Sequence, residues 1–227
     1  MGDFLFAPHA PVTIPIARGG LFAVRRLYCV GRNYAEHIVE MGNDTRDPPF
    51  FFAKPADAVL VGGAAMPYPP QTADLQHEIE LVVAIGKDGA DIAVGDALSH
   101  VYGYAAGLDM TRRDLQALAK KAGRPWEMAK AFDCSAPIGT IEPTEAIGHP
   151  DSGAITLSVN GVERQRGDLA DQIWSVGEAI AYLSQFVTLK AGDLIMTGTP
   201  AGVGAVRRGD VIEGSIARVG TVRTVIN

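Results

Sequence analysis

The chain of 227 residues is 47% hydrophobic and 20% charged with a formal net charge of −6, the composition of an ordinary globular protein long enough to bury roughly 70% of its unfolded surface without staples. Its two cysteines, Cys29 and Cys134, are too few for a disulfide framework and lack metal-site spacing, which points to a reducing compartment and the cytoplasm. No signal peptide is read at the start, no apolar stretch approaches the ~18 residues of a membrane span, and the scattered pairs Arg25-Arg26, Lys120-Lys121 and Arg207-Arg208 form no cationic face for nucleic acid.

From the N-terminus, residues 1–20, with Pro8, Pro11 and Pro15, read as an extended arm lying on a single body of residues 21–227. Runs of β-branched and aromatic residues predict strands over 23–30, 50–54, 78–85, 101–108, 155–159, 194–197, 211–217 and 221–226. A short helix is expected over 34–41, opened by Asn33 and closed by Gly42. A second follows Asp109, with Thr111 as cap, Asp114 facing the dipole and Gly123 as terminator. A third covers 175–186, where Ser175 and Glu178 form a capping box. Short strands punctuated by 26 glycines and 14 prolines, with few helices, make the fold class β-rich α+β.

Chemistry concentrates where carboxylates meet apolar strands. Glu78 and Glu80 flank Ile79 at the mouth of the run Leu81 to Ile85, so they share a face some ~6–7 Å apart along the strand. Alone, such a pair is ordinarily a solvated edge. Asp109 changes the weighing, because it ends another apolar run just before a helix start. Three carboxylates without cysteine or a histidine pair suit a hard, oxygen-loving ion such as Mg²⁺, Mn²⁺ or Ca²⁺, with positions left for waters and a chelating substrate.

His37 and Glu40, three residues apart, share one helical face and could form an oriented general base, although such spacing alone favours surface decoration. Lys54 and Lys130 sit in apolar company and must either snorkel outward or meet a carboxylate. Gln116 lies on the helix after Asp109, within reach of a substrate carbonyl or of solvent. The segment from Met196 to Gly204 is glycine-rich but fits neither a Walker A nor a Rossmann pattern. His77 faces away from the glutamate pair and reads as structural.

These stretches together resemble a known family. YCVGRNYAEHIVEM (28–41), PFFFAKPADAV (49–59), HEIELVVAIG (77–86), GYAAGLDMTRRDLQ (103–116), GRPWEMAKAFD (123–133) and MTGTPAGVG (196–204) are similar, in order, to the fumarylacetoacetate hydrolase family. The likeness is to its short acylpyruvate hydrolase branch, and most of all to bacterial fumarylpyruvate hydrolases of gentisate-type aromatic catabolism.

The resemblance implies a mixed β-sandwich roll, usually a homodimer, in which Glu78, Glu80 and Asp109 bind the metal, most simply Mg²⁺. It implies a water-activating dyad of His37 and Glu40, Lys130 as a catalytic oxyanion donor, and Arg32, Lys54, Gln116 and Thr199 lining the site of a small 2-oxo acid. The expected reaction is hydrolysis of the carbon–carbon bond of an acylpyruvate. The alternative is a lyase or isomerase acting on a 2-oxo acid through a metal-bound enolate, of the oxaloacetate decarboxylase, 2-hydroxyhepta-2,4-diene-1,7-dioate isomerase or 2-keto-3-deoxy acid dehydratase type.

Overall fold

The structure, a computed structural model, describes residues 4–34 and 47–227. Two sheets carry the architecture. A six-stranded mixed sheet runs in the order Glu142–Pro143, Val101–Leu108, Ile79–Ile85, Asp193–Met196, Arg26–Gly31, Phe50–Lys54, with only the pairing of Asp193–Met196 to Arg26–Gly31 parallel. The second sheet is four-stranded and antiparallel, in the order Val162–Asp168, Ala154–Val159, Val211–Ile216, Gly220–Val225. The expected sheet-rich roll with few short helices is therefore the observed fold.

Strand Ile79–Ile85 shows why its sequence does not alternate. Leu81, Val83 and Ile85 pack with Ile155, Leu157, Ile212 and Ile216 of the four-stranded sheet. Val82 and Ala84, on the opposite face, pack with Leu27, Cys29, Ala105, Leu194 and Met196, and this face is covered by Ile14, Phe22 and Ile138. A sheet covered on both sides selects apolar residues at every position. All seven residues of this strand are buried, Glu80 among them.

Most expected strands appear within a residue or two of their predicted bounds. Strand Val162–Asp168 was not expected, because six of its seven residues are exposed or half-buried and the one that is buried is a glutamine. Thr13–Pro15 pairs with Leu21–Ala23 and brings Ile14 into the core, while residues 4–11 are exposed.

The helices need three corrections. The helix after Asp109 begins at Arg113, not Thr111: Thr111 instead pairs with Gln76 in a small sheet, and no side chain caps the helix. The Asp114 carboxylate accepts from the Thr72 hydroxyl at 2.6 Å and the Ala73 N–H at 3.0 Å, as well as from Leu115 N–H within its own first turn. Gly123 does close this helix, and the Ser175–Glu178 capping box opens Val176–Ser184 as expected. Asn33 does not open a helix at Tyr34. Its amide donates to Trp174 O and Thr197 O and accepts from Trp174 N–H, while Tyr34 bridges to Gln172. The remainder of the expected helix, including His37 and Glu40, lies outside the described residues.

The parallel pairing within the six-stranded sheet is anchored by Asp193, wholly buried, which accepts from Arg25 at 3.0 Å, from Arg26 at 2.7 Å and from Lys190 N–H at 2.9 Å. Asp193→Ala removes these charge-assisted bonds. The expected cost is about 2 kcal/mol, which calorimetry should read as a melting temperature lower by roughly 4–8 °C.

Candidate metal centre

Strand register brings the three carboxylates together. Glu80 pairs across the sheet with Gly107, and Asp109 N–H donates to Glu78 O at 2.9 Å. Asp109 thus stands beside Glu78 on the face that also carries Glu80. One carboxylate oxygen from each residue lies within 4.8 Å of the others, and all three residues are buried. Glu78 itself sits at the break between Leu75–His77 and Ile79–Ile85, just outside the ladder.

Three cations surround this cluster unevenly. Lys130 Nζ donates to Glu78 Oε2 at 2.8 Å and to Asp109 Oδ2 at 2.6 Å. Arg113 pairs with Glu78 Oε1 and also donates to Gln76 and Gln116. Lys54 Nζ stands 2.8 Å from Asp109 Oδ1. The same ammonium lies within hydrogen-bond distance of Ser135 Oγ, Ser135 O, Met110 O and Lys130 O, more acceptors than its three hydrogens can serve, so Asp109 Oδ1 shares it with them.

Glu80 has the least support. Among the described residues its one hydrogen-bond partner is the backbone N–H of Gly198, at 2.7 Å from Oε2. Burial, reinforced by the charges of Asp109 and Glu78, pushes its carboxyl well above the usual carboxylate range. Glu78 goes the other way: burial opposes its charge, but Lys130 and Arg113 outweigh burial and hold it well below that range. Burial likewise disfavours charge on Lys130, and Asp109 and Glu78 reverse this, so its ammonium is held more firmly than that of a free lysine. A buried Glu80 with a single backbone donor, within 4.8 Å of carboxylate oxygens of Glu78 and Asp109, fits a hard divalent cation.

The cavity beside the cluster is lined by Arg32, Phe52, Arg113, Gln116, Lys130 and Thr199, together with Glu78, Glu80 and Asp109. The structure thus gathers Arg32, Gln116, Lys130 and Thr199 around the carboxylates. It places Lys54 behind Asp109, wholly buried and away from the lining. Thr199 is carried by the glycine-rich segment, which passes close to Asn33: a side chain at Gly198, whose φ is +94°, would meet Asn33 Cβ at 2.7 Å.

Residues 26–227 match the model of the fumarylacetoacetate (FAA) hydrolase C-terminal family. The chain belongs to the fumarylacetoacetate hydrolase family. It is 54% identical to the crystal structure of fumarylpyruvate hydrolase from Pseudomonas aeruginosa in complex with Mn²⁺ and pyruvate, with a TM-score of 0.95 and 99% of each chain covered. It is 44% identical over 190 residues to oxaloacetate tautomerase YcgM of Escherichia coli, covering 83% of this chain and 87% of the relative. It is 41% identical over 198 residues to the mitochondrial oxaloacetate decarboxylase of Dictyostelium discoideum, covering 87% and 91%.

Within this family frame, Arg113 is the site residue that sequence reasoning missed. Its signal was present: an arginine at the first position of a helix opposes the helix dipole, which favours acidic residues there. Such a placement needs a local anion, and Glu78 is that anion.

A divalent cation binding only the folded state should raise stability by about 2.7 kcal/mol at 100-fold excess over its dissociation constant, or roughly 5–11 °C in melting temperature for a chain of this size. Calorimetric scans with Mn²⁺ or Mg²⁺ against scans with EDTA should show this rise, and Glu80→Gln should remove it. A wild-type melting temperature indifferent to metal would mean that Lys54, Lys130 and Arg113 neutralise the carboxylates unaided.

Proposed function

We propose that this chain is a divalent-metal-dependent acylpyruvate hydrolase that cleaves fumarylpyruvate with water to fumarate and pyruvate, with Glu78, Glu80 and Asp109 holding Mg²⁺ or a similar hard ion. The observation that carries the proposal is the buried three-carboxylate corner opening onto a cationic cavity. Its support is the 54% identity to a fumarylpyruvate hydrolase crystallised with Mn²⁺ and pyruvate, against 41–44% to the oxaloacetate enzymes.

When bound, a divalent ion would polarise the carboxylate and 2-oxo oxygens at the pyruvyl end of the substrate. The remaining work falls to side chains. His37, oriented by Glu40, takes a proton from water, and the hydroxide oxygen bonds to the distal acyl carbon. The bond between that carbon and the pyruvyl methylene then breaks. Its electron pair leaves as the enolate of pyruvate, and His37 returns the proton to the methylene carbon.

Lys130 commits two of its three ammonium hydrogens to Glu78 and Asp109, so the third is available for the oxyanion that develops during attack. Gln116 is polarised in a similar way. Its Oε1 accepts from Arg113 at 2.7 Å, so its amide hydrogens remain to donate. Arg32 suits the far carboxylate of a dianionic substrate, since its fork can bind one through two parallel bonds.

The identities to the oxaloacetate tautomerase and decarboxylase favour a second reading, in which the same corner handles oxaloacetate without hydrolysis. The dyad separates the two, because hydrolysis needs a positioned water and enolisation does not. His37→Ala should lower fumarylpyruvate cleavage, followed as loss of the diketo-enol absorbance, by about 10²–10⁴-fold, and should lower oxaloacetate turnover much less. Unimpaired cleavage in this variant would overturn the hydrolase assignment.

A further inference from the structure

Strand Val162–Asp168 presents one buried residue, and it is a polar one: Gln165 is 1% exposed, opposite Leu157. A buried amide is costly unless its hydrogen-bonding groups are filled. All four positions of this one are taken. Oε1 accepts from Ile79 N–H at 3.2 Å and lies 2.8 Å from His77 Nδ1, while Nε2 donates to Pro200 O at 2.9 Å and Thr199 Oγ1 at 2.8 Å.

Two of these partners cannot change role. A backbone N–H only donates and a backbone carbonyl only accepts, so Ile79 and Pro200 fix which end of the amide is oxygen. Two consequences follow. His77 Nδ1 carries the hydrogen that Oε1 accepts. Thr199 Oγ1 is an acceptor toward Gln165, so its own hydrogen points elsewhere. Among the described residues no acceptor takes that hydrogen, and Thr199 lines the cavity with Glu80, Asp109 and Lys130.

The packing holds this arrangement. A side chain at Gly202 would meet Arg164 O at 2.2 Å, and one at Gly167 would meet Pro200 Cβ at 2.7 Å, so the glycine-rich segment lies directly on the strand that carries Gln165. Its far end, Gly204–Ala205, pairs with Gln76 and His77.

We propose that Gln165, pinned by Ile79, Pro200 and His77, is a positioning residue that locks the Thr199 hydroxyl as a hydrogen-bond donor into the cavity, selecting a ligand oxygen with lone pairs at that point over a donor group. The proposal rests on the reading of Thr199 as a ligand contact. Gln165 itself touches no substrate.

The test is a double-mutant cycle on pyruvate binding in the presence of Mn²⁺, read by titration calorimetry, with fumarylpyruvate turnover measured alongside. Thr199→Val and Gln165→Leu should each weaken pyruvate binding by about tenfold, and the double variant should be no weaker than Thr199→Val alone. Thr199→Ser, which keeps the hydroxyl, should retain wild-type affinity and remain sensitive to Gln165→Leu. Gln165→Met, close to glutamine in length and volume but without a donor, is the second variant; its melting temperature checks folding, and it should reproduce the Gln165→Leu loss. In ¹⁵N-histidine spectra, His77 should appear as the Nδ1–H form in wild type and lose that signature in Gln165→Leu.

Additive losses in the double variant, about 100-fold, would overturn the relay while leaving Thr199 a ligand contact. Wild-type affinity in Gln165→Met would do the same. Wild-type affinity in Thr199→Val would overturn both the relay and the reading beneath it.

Discussion

Carboxyl groups buried side by side must be compensated, and this protein buries three. Lys130 is the group that touches two of them at once, with bonds of 2.8 Å to Glu78 and 2.6 Å to Asp109. Removing one partner of a buried ion pair costs far more than the pair contributes, because the survivor is left charged and dry. The corner is therefore indivisible: Lys130 comes from the turn Glu127–Lys130, Glu78 and Glu80 from one end of a central strand, and Asp109 from the end of its neighbour. A one-residue slip in register between the two strands would turn Asp109 away from the face that carries Glu78 and Glu80. The all-apolar strands that fix that register are thus as much part of the site as the carboxylates.

Hydrogen-bond direction adds a second layer. Around the cavity, several groups have one role already taken by an obligatory partner: Gln116 by Arg113, Thr199 by Gln165, Glu80 by the Gly198 N–H. What each can offer a ligand is what its neighbour has left. Lys130, Gln116 and Thr199 are left as donors, and the carboxylates as acceptors for a cation. A chelating oxyanion with a metal partner satisfies both sets. An amine in the same place could pair with the carboxylates but would leave the donors Lys130, Gln116 and Thr199 unmatched.

The fold was largely legible because its strands are short, apolar and bounded by glycine and proline. The convergence of Glu78, Glu80 and Asp109, and the burial of Lys130 beside them, were legible for a related reason, since a carboxylate or ammonium at the end of an apolar run has few ordinary explanations. Arg113 was not, because its partner Glu78 is 35 residues away in sequence, and its one local trace, an arginine opening a helix, was hidden while Thr111 was expected as the cap. Strand Val162–Asp168 was missed because binary patterning looks for an apolar residue facing inward and finds Gln165. The cap expected at Thr111 failed because tertiary pairing with Gln76 took the residue into a strand. In each case a long-range contact outweighed a local rule.

Those failures are themselves a map of the site. Arg113 opposes the dipole of its helix, Arg32 holds a left-handed φ of +61°, Glu80 is buried with one backbone donor, and Gln165 takes a position that packing would give to leucine. Each costs stability on its own, by amounts on the order of 1 kcal/mol or more. A positive φ is not peculiar to this corner, since Arg18, Gln71, Asp91, Cys134, Asn160 and Arg218 share it, but a buried carboxyl and a buried amide are the costlier departures. Three of these four line the same cavity, and the fourth acts on a residue that does. A fold selected only for stability would replace them with apolar residues and good caps. Glu80 and Arg113 place charge at one point at a cost in stability, which is the physical argument for seeking the chemistry there.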